Sequence, residues 1–392
     1  MKTVGWLPAG AQMWNKNTWD SGGTRAAYSS TLAIYVYDVA ASPPKLEKIL
    51  VGPDRTICCL SWSPHNPEAI AVAIAEEDHN VIVWDVASET EVRRLNTVGR
   101  PAAHIQWSPH HPNEIYGASM HGAISTMDQS TGAAAETAWS SGLQKGWSSG
   151  AAHQKTMARC GGLRLSPRVP HKLLAFYDNG HLVVLHRGAV CFEVHLKDEA
   201  VADAQFDPLS EHYLLAGFRS GLIQLYDTES RQLLQTFERT LGGLQSLAWQ
   251  PGAPGSFVSA GDKAGVVRLW NVSNPRPTEQ IKAKHGAGFH GLGFVSRSDR
   301  LFAVLKNGAV GLCDMARRQW TMFGDAAHTD TVFCAGFHPA RPDVMATCSF
   351  DGSVRLWDTS THTLLREMVG EDVGVLYSLA WAPHPTTTTA GG

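Results

Sequence analysis

The sequence predicts an all-β fold, a β-propeller of four-stranded blades, on three observations. Apolar runs of five to seven residues recur along all 392 residues, with no long amphipathic helix between them. One unit repeats: a strand ending in an aromatic residue and proline, a loop, a second strand, a tight turn, and a third strand ending near Trp-Asp. The third strands end at Asp38, Asp85, Asp128, His186, Asp227, Asn271, Asp314 and Asp358, with gaps of 47, 43, 58, 41, 44, 43 and 44 residues. A period near 40–45 with four strands per repeat is blade spacing.

The clearest unit is "TVFCAGFHPARPDVMATCSFDGSVRLWD" (331–358). Its first strand ends at Phe337-His338-Pro339, its second is "VMATCS", and "SVRLWD" is the third. Asp351-Gly352 between them is a hairpin signal, because a type I′ turn needs φ > 0 at both central residues. In chain order, the other units start from "AAYSSTLAIYVYD" (26–38, the loosest), "ICCLSWSP" (57–64), "HIQWSP" (104–109), "CGGLRLSP" (160–167), "VADAQFDP" (201–208), "LQSLAWQP" (244–251) and "FHGLGFVS" (289–296). A fourth, outer strand follows each Trp-Asp position, as in "LLQTFE" (233–238) and "LLREM" (364–368). A single four-stranded sheet cannot bury both faces, so the blades must cover one another radially. Trp62, Trp107, Phe206, Trp249, Phe294 and Phe337 end the first strands and are expected in the inter-blade core.

Eight units can be counted, and "VLYSLAWAP" (375–383) matches the first strand of a ninth. The expected division is a seven-bladed ring from units one to seven (1–323). Residues 324–392 would then hold the eighth unit and the incomplete ninth, beginning a second propeller. An eight-bladed ring is the alternative. The longest gap holds a Gly/Ser/Ala-rich insertion, 129–156.

The Trp-Asp ends and hairpin turns resemble the WD-repeat family, and "ATCSFDGSVRLWD" (346–358) is close to its consensus. The resemblance implies a structural hydrogen-bond set at His328, Ser349, Asp351 and Trp357. Only this unit carries all four types, so the other blades must rely more on packing. Further segments resemble the WD repeat-containing protein 17 family across nearly the whole chain, among them "WNKN" (14–17), "DPLSEHYLL" (207–215), "LAWQPGAPGSF" (247–257) and "GAVGLCDM" (308–315). That family is longer, with further WD repeats and then a helical region. It implies no reaction. Tandem propellers with helical tails also occur in ciliary-transport and vesicle-coat proteins, a likeness of fold alone.

Composition excludes several functions. Hydrophobic residues make up 43% and charged residues 18%, which argues against disorder. Net charge is −3, and the densest basic spots are pairs, Arg93–Arg94 and Arg317–Arg318. No basic patch for nucleic acid or phosphoinositide is visible. Seven cysteines (58, 59, 160, 191, 313, 334, 348) include no CxxC, and most lie in apolar strands. This reads as a reducing compartment without disulfides. The N-terminus has no apolar signal core, and no run reaches the ~18 residues of a membrane helix. A cytoplasmic location is expected.

The chemical motifs read as structure. Gly146-Trp147-Ser148-Ser149-Gly150 matches G-x-S-x-G but lies in the insertion, beside the near-copy "AWSSG" (138–142), not on a strand-to-helix turn. His65, His110 and His111 sit in proline-punctuated turns. His285 and His290 have no thiol or carboxylate at ligand spacing, so no metal site and no cofactor is expected. No P-loop occurs, and the sequon Asn271-Val272-Ser273 falls at a strand end. The insertion reads as a surface loop, or as a partner-binding arm anchored by Trp139 and Trp147. The expected function is a non-catalytic scaffold that binds other proteins. The alternative is a propeller hydrolase using the central channel.

Overall fold

In the computed structural model the described residues are 9–382, apart from 13, 14, 16, 53, 54, 77, 79, 137–157, 262, 264, 284–286, 297, 324–327, 329–331, 362 and 371–373. Among them there is no helix, hence none long and apolar enough to cross a membrane, and the strands form eight four-stranded antiparallel sheets.

The first sheet is β1 (Trp19–Gly22), β2 (Arg25–Ser29), β3 (Ala33–Asp38) and β4 (Lys45–Val51). The second is β5 (Ile57–Trp62), β6 (Ala69–Ile74), β7 (Val81–Asp85) and β8 (Thr90–Leu95). The third is β9 (Ala102–Trp107), β10 (Glu114–Ser119), β11 (Ile124–Asp128) and β12 (Ala134–Glu136). The fourth is β13 (Cys160–Leu165), β14 (Lys172–Tyr177), β15 (His181–His186) and β16 (Ala189–His195). The fifth is β17 (Val201–Phe206), β18 (Tyr213–Phe218), β19 (Ile223–Asp227) and β20 (Gln232–Phe237). The sixth is β21 (Ser246–Trp249), β22 (Ser256–Ala260), β23 (Val266–Asn271) and β24 (Glu279–Lys282). The seventh is β25 (Phe289–Phe294), β26 (Arg300–Leu305), β27 (Val310–Asp314) and β28 (Gln319–Phe323). The eighth is β29 (Val332–His338), β30 (Arg341–Ser349), β31 (Ser353–Asp358) and β32 (Thr363–Val369). Each sheet uses four consecutive strands. All eight third strands end at the residue the repeat predicts.

The aspartates at those ends explain the spacing. Asp38, Asp85, Asp128, Asp227, Asp314 and Asp358 each accept, through Oδ1, a backbone N–H two or three residues on, closing the turn to the outer strand. The bond from the Ser88 N–H holds the Asp85 carboxyl below its ordinary range. Asn271 makes the same turn with Ser273.

The chain divides into two compact units, Ala11–Phe323 and Met1–Gly10 with Gly324–Gly392. The larger unit holds the first seven sheets as a ring. Continuous apolar clusters join each to the next: Val36 and Leu50 with Trp62 and Ile70, Val83 with Ile105 and Trp107, Ile124 with Leu163 and Leu173. Phe176 then meets Phe206, Leu225 meets Trp249, and Val267 meets Leu292. The seventh sheet packs back on the first, where Trp19 stacks on Phe302 at 4.8 Å and Tyr37 meets Phe323 at 4.8 Å. The segment before β1 fastens the same seam: the Ala11 N–H donates to the Gly308 carbonyl, and the buried Gln12 amide donates to the Ser29 hydroxyl and the Ile57 carbonyl. Closure therefore rests on packing and these bonds, with no strand exchanged between the two sheets.

In the smaller unit, 375–382 lies against the eighth sheet. The Trp381 Nε1–H donates to the Gly336 carbonyl at 3.0 Å, and Tyr377 meets Phe333 at 5.0 Å. Within the ring, Trp249 Nε1–H donates to the Gln205 carbonyl in the same way, across the fifth and sixth sheets. Residues 375–382 thus contact β29 as the first strand of a following blade would.

One expectation about the core is corrected. Trp62, Trp107, Phe206 and Trp249 are buried, and Phe294 is half-buried, but Phe337 is 60% exposed. Its sheet belongs to the smaller unit, and among the described residues no complete sheet covers β29.

Candidate functional site

The first strands line a cavity of about 370 Å³ at the ring's axis. Their polar side chains tie each sheet to the next. Asp20 Oδ2 accepts the Trp62 N–H at 2.8 Å, Ser61 Oγ the Trp107 N–H at 3.0 Å, and Gln106 Oε1 the Leu165 N–H at 2.7 Å. Arg164 pairs with Asp203 at 3.1 Å, and the other Asp203 oxygen accepts the Leu247 N–H and the Ser246 hydroxyl. Ser246 Oγ accepts the Leu292 N–H, and His290 Nε2–H donates to the Asn15 carbonyl at 2.6 Å. Inner strands leave one edge unpaired, and buried backbone donors require partners. These side chains supply them. Burial pushes the Asp20 carboxyl up to about 6, against the lowering by the Trp62 and Ser21 N–H groups and the Arg164 charge.

In the eighth unit Thr347, two residues before the expected Ser349, stands between Trp357 and His328. The Trp357 Nε1–H donates to Thr347 Oγ1 at 2.8 Å, Thr347 Oγ1 lies 2.7 Å from His328 Nε2, and His328 Nδ1 lies 3.0 Å from Asp351 Oδ2. A single direction satisfies every atom: Trp357 donates to Thr347, Thr347 to His328, and His328 to Asp351. Ser349 Oγ accepts the Asp351 N–H at 3.2 Å, which shapes the turn. Thr347 and Ser349 stand two apart on β30 and so share a face. Composition alone does not separate them; the pairing of Thr347 with Arg355, two residues before Trp357, does. Ser259 has the same place opposite Arg268 in the sixth sheet and accepts the Trp270 Nε1–H at 2.9 Å.

The turn histidines do more than punctuate. His65 Nε2–H donates to the Ser108 carbonyl of the third sheet at 3.0 Å, and His110 Nε2–H to the Ser166 carbonyl of the fourth at 3.0 Å. Next to His110, His111 and Glu114 meet His171 of the fourth sheet. Spacing rules missed this group because its third member comes from the following blade. Trp139, Trp147 and Ser148 lie outside the described residues, as does His285. The seven cysteines are free thiols, and burial pushes those of Cys160 and Cys313 up to about 12.

The WD domain, G-beta repeat family matches residues 44–85 and 321–358, the stretches ending at Asp85 and Asp358. The chain carries WD repeats and is similar to WD-repeat proteins. Similar WD-repeat relatives include U3 small nucleolar RNA-associated protein 15 of Saccharomyces cerevisiae, 27% identical over 41% of this chain and 31% of that protein. Actin-interacting protein 1 of Drosophila melanogaster is 20% identical over 78% of this chain and 48% of its own length. Protein transport protein SEC31 of Mycosarcoma maydis is 23% identical over 75% and 20%. The chain thus spans less than half the length of these WD-repeat relatives. The crystal structure of the computationally designed Ika8 protein superposes with a TM-score of 0.56 at 14% identity, covering 89% of this chain and 99% of that one, a likeness of fold.

Proposed function

We propose that this WD-repeat chain is a non-catalytic scaffold that docks other proteins on the rims of a closed seven-bladed ring. The observation that carries the reading is the occupation of the channel wall. Asp20, Asp203 and Arg164, charged groups a channel enzyme would use, are bonded to neighbouring sheets, and His290 is bonded to the segment before β1. They hold the ring rigid, and rigid rings present loops. WD-repeat relatives named for protein transport and for actin interaction support a role in assemblies of proteins.

The domain reading belongs with this proposal: residues 1–323 as the ring and 324–392 as the start of a second propeller, in a longer tandem protein of the WD repeat-containing protein 17 type. The seating of 375–382 on β29 supports it. The partner-binding arm, with Trp139 and Trp147 as anchors, is proposed from sequence, and the place of action is the cytoplasm.

The test is affinity capture from cells, with wild type beside a Trp19→Ala variant that loosens the ring and a deletion of 140–155. Reproducible protein partners lost with Trp19→Ala support the scaffold, and loss with the deletion supports the arm. Hydrolysis by the purified chain that disappears in Asp20→Asn and His290→Gln would overturn the non-catalytic reading.

A further inference from the structure

The turn between β9 and β10 and the turn between β13 and β14 meet at the seam of the third and fourth sheets. There the ligand atoms of His111, Glu114 and His171 lie within 4.8 Å of one another. The three side chains line one open cavity of about 490 Å³, with Thr126 and Asp128 of β11, the strand paired to Glu114, also on its lining. The geometry points to a site for one divalent transition-metal ion of the zinc class, held by these three residues and tying the two sheets together.

Four features support the assignment. Two imidazoles and a carboxylate form a donor set that zinc takes in three-ligand sites, leaving a fourth position for water. Here the three side chains line the cavity. Glu114 Oε2 is buried without a hydrogen-bond partner, which costs free energy unless something fills the gap. A cation does so. His171 is oriented by a second residue: Tyr116 Oη lies 3.2 Å from its Nδ1. With metal on Nε2, Nδ1–H donates to the Tyr116 oxygen, the outer-shell arrangement that ligating histidines usually show. Finally, both turns are fixed before any ion arrives. Ser108 Oγ accepts the His111 N–H, the His111 carbonyl accepts the Glu114 N–H, and the His171 carbonyl accepts the Arg187 N–H.

Ligands at about 2.0–2.1 Å from zinc stand about 3.4 Å apart. The imidazole rings of His111 and His171 are stacked at 4.9 Å, so the rings must turn and draw in. His111 is exposed and free to do so. The location gives the ion a purpose. β12, three residues long, is the shortest described strand, and the connection from it to β13 is the longest between sheets. A metal staple across this seam makes up for the weak outer strand.

The test uses the full chain without an affinity tag, stripped by chelator and titrated with Co²⁺ followed by Zn²⁺. Expected are visible absorption saturating at one Co²⁺ per chain, its loss on adding Zn²⁺, and a rise in unfolding temperature with Zn²⁺. His171→Asn keeps a residue type suited to the left-handed backbone there (φ 55°) and removes the zinc-type donor. It and His111→Ala should weaken Co²⁺ binding at least tenfold, while His65→Ala, in the corresponding turn of the second sheet, should not. If wild type gives no saturable Co²⁺ signal, or if His111→Ala binds as wild type does, the assignment is wrong. His111→Ala decides the matter even if His171→Asn fails to fold.

Discussion

Removing the Trp19 indole tests whether packing closes the ring. Trp19 stacks on Phe302 at 4.8 Å with 26° between the planes. It fills the space beside Gly291 and Gly293, where an added Cβ would meet the indole at 3.1 and 2.6 Å. Truncating a buried tryptophan costs ~3–5 kcal/mol, and the lost ring pair belongs to the same scale. Trp19 is half-buried, so the lower end applies, about 3 kcal/mol. With a urea m-value of ~3 kcal/mol/M for a unit this large, the midpoint falls by about 1 M. The glycine sharpens the test. Gly293 has no left-handed φ, so Gly293→Ala costs only the new contact, ~1–3 kcal/mol. With Trp19 already removed, that contact does not exist and the added methyl costs nothing. The double-mutant cycle should therefore show coupling of about 1–3 kcal/mol. The assay is equilibrium urea unfolding followed by far-UV circular dichroism, with Leu241→Ala as control at a residue 88% exposed. Equal midpoints for Trp19→Ala and Leu241→Ala, or simple addition of the Trp19 and Gly293 costs, would refute the reasoning.

Three further perturbations address the bonds between and within sheets. Asp203→Ala leaves Arg164 without its buried carboxylate and the Leu247 N–H without an acceptor; a loss of about 3–5 kcal/mol is expected in the same urea assay. Asp20 titrates near 6 in the fold against an ordinary 3.8. The fold thus binds the proton more tightly than the unfolded chain, the carboxyl's contribution falls as pH rises between those values, and the full penalty applies above about 6. That penalty is at most about 3 kcal/mol, so Asp20→Asn should reduce the stability difference between pH 4 and pH 7 by up to that amount; an unchanged difference would contradict the burial argument. In the eighth sheet, Thr347→Val removes the bridge between Trp357 and His328 and should cost about 2–3 kcal/mol, whereas Ser349→Ala should cost about 1 kcal/mol by the same unfolding measurement.

The local chemistry of the fold was legible because it repeats at fixed offsets. A third strand ending in aspartate demands a turn that accepts backbone N–H groups, and six aspartates make that turn at the positions the repeat marks. The first-strand aromatics were legible as core for the same reason, until Phe337, where the pattern persists but, among the described residues, no complete neighbouring sheet covers it. A residue's own pattern states which face it occupies. It does not state whether another blade lies against that face. Coverage of a face is a property of the neighbours, and in the larger unit the stacking of Trp19 on Phe302 joins the first sheet to the seventh.

The features that bear on function cross from one sheet to the next, and they follow the repeat in a way a single unit hides. His65 reaches Ser108 and His110 reaches Ser166 because the same turn recurs one blade later. "SPHNP" and "SPHHP" show the recurrence in the sequence, but only the radial stacking converts it into a bond between sheets. The same offset brings His171 to His111 and Glu114, across the one interval that the insertion stretches to 58 residues. Ligand-spacing rules are tuned to a helix turn or a hairpin and cannot register a partner one blade away. In a stacked-sheet repeat, the useful spacing is the repeat length itself, corrected for insertions. Donor side chains at equivalent turns of successive units should therefore be compared before a metal or binding site is ruled out.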